Sequence, residues 1–334
     1  MTTVPELSAA DWPFFSDEII EQSRPVLIRE LVREWPAVRA FEESGERGLR
    51  YIEQFVVQRP VTVYVGDPEI EGRFSYTENL EELNFKSGKI ELTKVIERLI
   101  SQQADVKPAA VYVGSSAVDR WLPGFSSENV ITKRTSDTLE SFWLGSRTLI
   151  SAHFDFPHNL ACVVGGRRTF RLFPPEQLSN LYIGPLDKTP AGQPISLVDF
   201  EHPDLERYPK SAIALENSLE FNLDPGDALF IPSMWWHQVS SLDPINMLVN
   251  LWWSETPESL GSPLMALMHA ILSVRDIPLE EREHWRRLFD HYVFDPRPEN
   301  FDHIPDRAKG SLAALSKVES DKLRSKIAKE LSQH

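Results

Sequence analysis

The stretch from Ala109 to Trp253 constrains this chain most. Eight short runs of strand-forming residues follow one another there: AAVYVGS, SFWLGS, TLISAHFD, NLACVVGG, RTFRLFPP, SLEFNLDPGDALFIP, HQVSSL and MLVNLWW. Gly, Pro and Asp punctuate them, with only brief helical interruptions. A parallel sheet needs a crossover of a dozen or more residues, usually a helix, between strands. The pattern therefore selects an antiparallel sandwich or barrel.

The flanks read differently. SDEIIEQS looks helical, and RPVLIRELVREWPAV reads as a strand closed by a turn at Trp35-Pro36. RPVTVYVGD alternates like a strand, with EGRFSY as its expected partner. LTKVIERLISQQ repeats apolar residues at Val95, Ile96, Leu99 and Ile100, the helical spacing. After Thr256 the text is helical throughout. The expected architecture is mainly β with flanking helices: a mixed α/β region over 1–108 packing on a barrel, the barrel over 109–257, and a helical region over 258–334.

Composition limits the partners. Fifty acidic residues against 35 basic ones leave a net charge of −15, which repels a phosphate backbone and an anionic membrane, so neither nucleic acid nor membrane is an expected direct partner. Cys162 is the one cysteine and lies in apolar LACVV, which rules out a disulfide framework and a Cys-based zinc site within the chain. The first twenty residues lack a basic start followed by an apolar run, and no segment approaches the roughly 20 apolar residues of a membrane span. A soluble cytoplasmic protein is expected.

The chemistry concentrates in Ser151-Ala152-His153-Phe154-Asp155. On a strand, side chains two residues apart share a face, so His153 and Asp155 could reach one point inside a barrel. A third candidate is His237, which follows the turn DPGD and the strand ALFIP and starts the next strand. Two histidines and a carboxylate leave coordination positions open, as in non-heme Fe(II) oxygenases, whereas zinc more often takes four ligands or three with a water. A lone His-x-Asp is a weak signal that also fits a surface strand. Here Leu149-Ile150 before it and Leu160 to Val164 after it imply burial, and buried charge needs a partner or a metal.

SAHFDFPHNLACVVGGRRTFRLFPPEQLSNLY, followed by DPGDALFIPSMWWHQVSSL and VNLWW, resembles the cupin-like branch of the Jumonji C superfamily, which includes an asparaginyl hydroxylase. The likeness runs from about Arg24 to Trp253. It implies a double-stranded β-helix (cupin or jelly-roll barrel) holding Fe(II) and the cosubstrate 2-oxoglutarate, with His153, Asp155 and His237 as iron ligands. It also implies hydroxylation of an amino-acid side chain in a protein or peptide, or of a small molecule, with release of succinate and CO2. The basic residue for the distal carboxylate aligns with Arg168, where arginine offers two parallel hydrogen bonds; Arg167 and Arg171 are nearby competitors. Tyr112 aligns with a tyrosine reaching that carboxylate, and Asn159 and Asn250 with amides lining the pocket. Each has a plainer reading, as a core aromatic or a satisfied bulge amide.

Two departures stand out. The family threonine three residues before the first iron ligand is Ile150 here, and a substrate-holding Arg-Gln pair in the insert is replaced by Pro194 and Ile195. Trp252 is open to core packing or to walling the substrate pocket, and His158 to a position behind the ligands or at the pocket rim. The other histidines lack ligand spacing. A metal-binding cupin without oxygenase chemistry, an enzyme or a sensor, would share the triad but need no dicarboxylate clamp. In PLMALMHAILSV, Leu264, Leu267, Met268, Ile271 and Leu272 form an apolar face. The resemblance assigns that face to a homodimer through the C-terminal helices, and the competing reading packs it on the barrel.

Overall fold

The computed structural model describes residues 6–12, 16–132, 135–190, 192–257 and 260–332. Its two compact units are Met1–Ser254 and Glu255–His334. The first unit begins with β1 (Glu6–Ser8), α1 (Asp17–Gln22), β2 (Val26–Arg29), α2 (Pro36–Glu43), α3 (Gly45–Glu53), β3 (Pro60–Gly66), β4 (Arg73–Phe74), β5 (Lys86–Glu91) and α4 (Leu92–Gln102). It continues through β6 (Ala110–Ala117), α5 (Val118–Trp121), α6 (Phe125–Glu128), β7 (Leu139–Gly145), β8 (Thr148–His153), β9 (His158–Gly165) and β10 (Arg168–Phe173). After an insert holding α7 (Ser211–Glu216) come β11 (Leu219–Leu223), β12 (Ala228–Ile231), β13 (Trp236–Ser241) and β14 (Asn246–Trp253).

Strands β7 to β14 make the barrel. Four of them lie in the order β12-β9-β14-β7 within a nine-stranded sheet, and four as β11-β10-β13-β8 within a five-stranded one. Successive strands change sheets except at β10 to β11, where the insert intervenes. This alternation is a double-stranded β-helix, the expected architecture. The first 108 residues do not stand apart from it, because β3 and β5 extend the large sheet beyond β6 and β2 and β1 extend its other side.

Alternation along each strand explains the layers. On β9, Leu160, Cys162 and Val164 enter an outer core with Val38 and Leu49 from α2 and α3. Ala161 and Val163 enter the core between the sheets with Phe170, Leu172 and Phe221. Because both faces are covered, the run is continuously apolar rather than alternating. The outer face of the smaller sheet is covered by the insert through Leu181, Val198 and Phe200, which meet Phe154, Phe173 and Trp236. Full burial of each such side chain stabilises by about 1.5–3 kcal/mol relative to exposure.

Two local expectations change. Trp35-Pro36 begins α2 instead of closing a turn: proline suits a first helical position, where no N–H partner is needed, and Asn129 Oδ1 accepts from the Ala37 N–H at 3.0 Å. The EGRFSY segment pairs not with β3 but, as β4, in parallel with β8. Gly72 permits that approach, with φ +81° and a notional Cβ only 2.7 Å from the Arg147 carbonyl oxygen; β3 pairs with β5 and β6.

The second unit contains α8 (Pro263–Ser273), α9 (Leu279–Phe289) and α10 (Lys317–Leu331), the last opened by a Ser316/Glu319 capping box. No residue of α8 or α9 is buried. Among the described residues no helix is long and apolar enough to cross a membrane.

Candidate metal centre

β8 carries the first ligand candidate because of an irregularity. His153 is opposite His237 and Ile150 opposite Val239, so three residues of β8 span two of β13, a bulge at Ser151-Ala152. The bulge turns Ile150 and His153 to the same inner face and sends Ala152 to the outer core. Asp155 lies beyond the end of β8, so its approach to His153 comes from the strand's exit loop and not from strand alternation. That loop is pinned to the one before β13: Met234 N–H donates to the Asp155 carbonyl at 3.0 Å, and Ser233 Oγ to the Phe156 carbonyl at 2.6 Å.

His153, Asp155 and His237 offer ligand atoms that all lie within 4.8 Å of one another. The imidazole centroids are 4.4 Å apart, and His237 Nε2 is 3.6 Å from Asp155 Oδ2. Each Nδ1 lies 2.9 Å from a backbone carbonyl two residues upstream, Ser151 for His153 and Trp235 for His237. Donation from Nδ1 leaves Nε2 unprotonated, the tautomer a metal ligand requires. Burial, helped by the neighbouring His153, pulls the His237 pKa down to about 4, so this ring is neutral at pH 7.

Arg168 sits on the inner face of β10 with Phe170 and Leu172 and is 3% exposed. Its Nε has no acceptor, and among the described residues no carboxylate pairs with it. The competitors are engaged elsewhere. Arg167 binds Asp243 at 2.9 Å from the turn before β10, and Arg171 faces outward to Glu220. Burial pulls the Arg168 pKa down to about 10, leaving a cation at neutral pH without a protein counter-charge, a costly arrangement.

Asn159 and Asn250 project inward from paired strands, and Asn250 Nδ2 donates to Asn159 Oδ1 at 2.6 Å while Asn250 Oδ1 receives no donor. Tyr112 is desolvated, which pushes its phenol up. These four residues and the triad border one small cavity of about 30 Å³. A neighbouring cavity of about 590 Å³ shares His153, Asp155, Tyr112, Trp143 and Ile150 with it and adds Trp252 and Ile195.

His158 is not part of this group. It occupies the face of β9 opposite Asn159, stacks on Trp253 with centroids 5.5 Å apart, and accepts at Nδ1 from Ser233 N–H. Neither cavity is lined by it, which corrects the expectation of a pocket residue. Sequence reading missed Trp143 and Tyr64, which enclose the larger cavity with Phe74 and Phe85. The signal for Trp143 was the alternation of β7, where Phe142 and Leu144 face the outer core. The buried indole N–H groups of Trp143 and Trp252 have no acceptor among the described residues.

A family model described as a cupin-like domain matches residues 12–259. Lysine-specific demethylase 8 of Xenopus tropicalis is 27% identical over 256 residues, 76% of this chain and 53% of that protein. JmjC domain-containing protein D of Dictyostelium discoideum is 25% identical over 68% of this chain and 51% of its own length. Lysine-specific demethylase JMJ31 of Arabidopsis thaliana is 40% identical over 128 residues, 36% of this chain and 23% of that protein. The chain thus spans about half, or less, of the length of these curated relatives.

Proposed function

The chain belongs to the cupin-like, Jumonji C family, and from that premise we propose that it is an Fe(II)- and 2-oxoglutarate-dependent dioxygenase that hydroxylates a protein or peptide side chain. The observation that carries the reading is Arg168. Among the described residues it is a buried cation without a carboxylate partner, and it borders the same small cavity as two imidazoles and a carboxylate. A metal-binding cupin that handles no dicarboxylate has no use for such a residue.

The donors fit the group. His153, His237 and Asp155 would hold Fe(II) through two neutral nitrogens and one anionic oxygen, leaving further positions open. Arg168 would receive the distal carboxylate of 2-oxoglutarate as a two-pronged donor. Tyr112 adds its hydroxyl, and the Asn159–Asn250 pair offers amide groups at the cosubstrate. When bound, iron and 2-oxoglutarate supply oxidative decarboxylation to succinate and CO2 coupled to hydroxylation of a C–H bond by dioxygen. Ile150 stands where the resembled family has a threonine, so the carboxylate would rest on Arg168 and Tyr112. Trp252 and Trp143 wall the substrate side and exclude water.

A second reading, oxidation of an N-methyl group on lysine, is favoured by the rings of Tyr64, Phe74, Tyr112 and Trp143 around the larger cavity, because aromatic faces attract alkylammonium groups. Two relatives carry lysine-specific demethylase in their names. Cytoplasmic residence is part of the proposal, supported by the lone buried Cys162. So is a homodimer through the C-terminal helices. On α8, Met265 is 67% and Leu272 78% exposed, and a second copy of the same helix is the self-complementary cover.

Anaerobic addition of Fe(II) and then 2-oxoglutarate tests the core of the proposal. A visible metal-to-ligand charge-transfer band is expected, and its absence at saturating concentrations of both overturns the reading.

A further inference from the structure

Beside the larger cavity lies a second hollow, of about 390 Å³, lined by Arg59, Pro60, Thr62, Lys89, Arg120 and Trp121. Thr62 lines both. Three of the six residues are cationic, on a chain with a net charge of −15. Among the described residues none of the three forms an ion pair. Elsewhere on this surface pairing is common: Arg47 binds Glu43 and Arg50 binds Glu53. The nearest acid on the same strand as Lys89, Glu91, is turned to Lys94 at 3.8 Å. The Arg120 guanidinium lies 4.8 Å from the Trp121 ring centroid, which fixes its plane without neutralising it.

Strand register ties this hollow to the site. Tyr112 is opposite Tyr64 on β3, and Thr62, two residues along β3 on the same face, is opposite Lys89 on the edge strand β5. Sheet spacing and strand rise separate the Tyr112 and Lys89 Cα positions by about 12 Å, the length of three to four residues of extended peptide.

We infer that Arg59, Lys89 and Arg120 form an anion subsite that docks an acidic side chain of a peptide substrate, in the segment flanking the residue oxidised. The inference rests on the oxygenase reading for its purpose, though not for its test. A short acidic peptide is favoured over nucleic acid, because three cations hold one or two carboxylates while the field of the whole chain repels a polyanion. The subsite gives the substrate direction: an acidic flank on β5 leads its neighbouring residue past Tyr64 into the aromatic cavity.

The test is fluorescence polarisation, on the full chain at low salt, of a labelled eight-residue serine-glycine peptide carrying two adjacent glutamates, beside the same peptide with two lysines and an eight-nucleotide oligouridylate with the same label. The diglutamate peptide should bind in preference to both, weaken as salt rises, and lose tenfold or more in affinity with Lys89→Glu or Arg59→Glu. Lys326→Glu, an exposed position on α10 far from the hollow in the chain, should change it less than twofold. Circular dichroism confirms that the variants fold, as expected at exposed positions. Equal binding by the Lys89→Glu and Arg59→Glu variants overturns the inference, and so does oligouridylate binding more tightly through these same residues. Neither iron nor 2-oxoglutarate is needed, so failure here and failure of the charge-transfer band are separate results.

Discussion

Replacing Arg168 by methionine separates the residue's burial cost from the cosubstrate-binding role proposed for it. Without cosubstrate, the guanidinium is 3% exposed, its Nε lacks an acceptor, and among the described residues no carboxylate pairs with it. Swapping an uncompensated buried charge for an apolar chain of similar length should stabilise the unliganded protein by about 1–4 kcal/mol, with roughly 2–4 °C in Tm for each kcal/mol in a domain of this size. With cosubstrate, the same change removes one partner of a buried ion pair. That costs about 2–5 kcal/mol, a 30- to 4,000-fold loss of 2-oxoglutarate affinity. The variant should therefore melt higher alone, and 2-oxoglutarate should raise its Tm far less than it raises that of the wild type. Arg168→Lys keeps the charge but loses the two-pronged geometry and should fall between. Differential scanning fluorimetry with and without 2-oxoglutarate, alongside titration calorimetry, reads both effects. A variant that melts lower alone and binds 2-oxoglutarate as tightly as the wild type refutes the reasoning, since Arg168 would then be structural.

His153→Ala and Asp155→Ala should each abolish the charge-transfer band and the rise in Tm on adding Fe(II), while circular dichroism stays native; a retained band removes either residue from the ligand set. Tyr112→Phe should weaken 2-oxoglutarate by about 10- to 150-fold, as for a hydrogen bond to a charged group, and leave Fe(II) affinity unchanged in the same titrations. Light scattering of the intact chain at micromolar concentration should give the mass of a dimer, and Met265→Glu with Leu272→Glu should return a folded monomer. A monomeric wild type ends the dimer proposal.

The legible part of this fold was everything that alternates. β9 and β14 could be read as strands covered on both faces, and their inward members, Asn159, Asn250 and Trp252, reach the cavities because period two does not depend on which strand lies next door. The same parity decides between Arg168 and Arg171: three residues apart, they face opposite ways, and Phe170 marks the inner side. It also excludes His158, adjacent to inward Asn159. Partner choice was not legible. EGRFSY and RPVTVYVGD are near in sequence, yet β4 joins β8 and β3 joins β5 and β6, because those pairings depend on where the sheets close. The cationic hollow shares that fate, since Lys89 meets Thr62 only through the β3–β5 register.

The bulge on β8 shows how the expected side chains can meet through a different geometry. Strand alternation put His153 and Asp155 on one face, but β8 ends at His153 and the carboxylate arrives from the loop. What alternation could not supply is the position of Ile150. Three residues before His153, it would face away on a regular strand, and the extra residue at Ser151-Ala152 turns it inward beside Arg168. A side chain at this position therefore touches whatever occupies the small cavity, and isoleucine offers it no hydrogen bond. A hydroxyl there would share the carboxylate with Arg168 and Tyr112. On the proposed function, its absence would concentrate the recognition on one buried guanidinium and one phenol, which is why the Arg168 substitution is expected to have so large an effect. Ile150→Thr should then tighten 2-oxoglutarate binding in the wild type and recover part of the affinity lost in Tyr112→Phe.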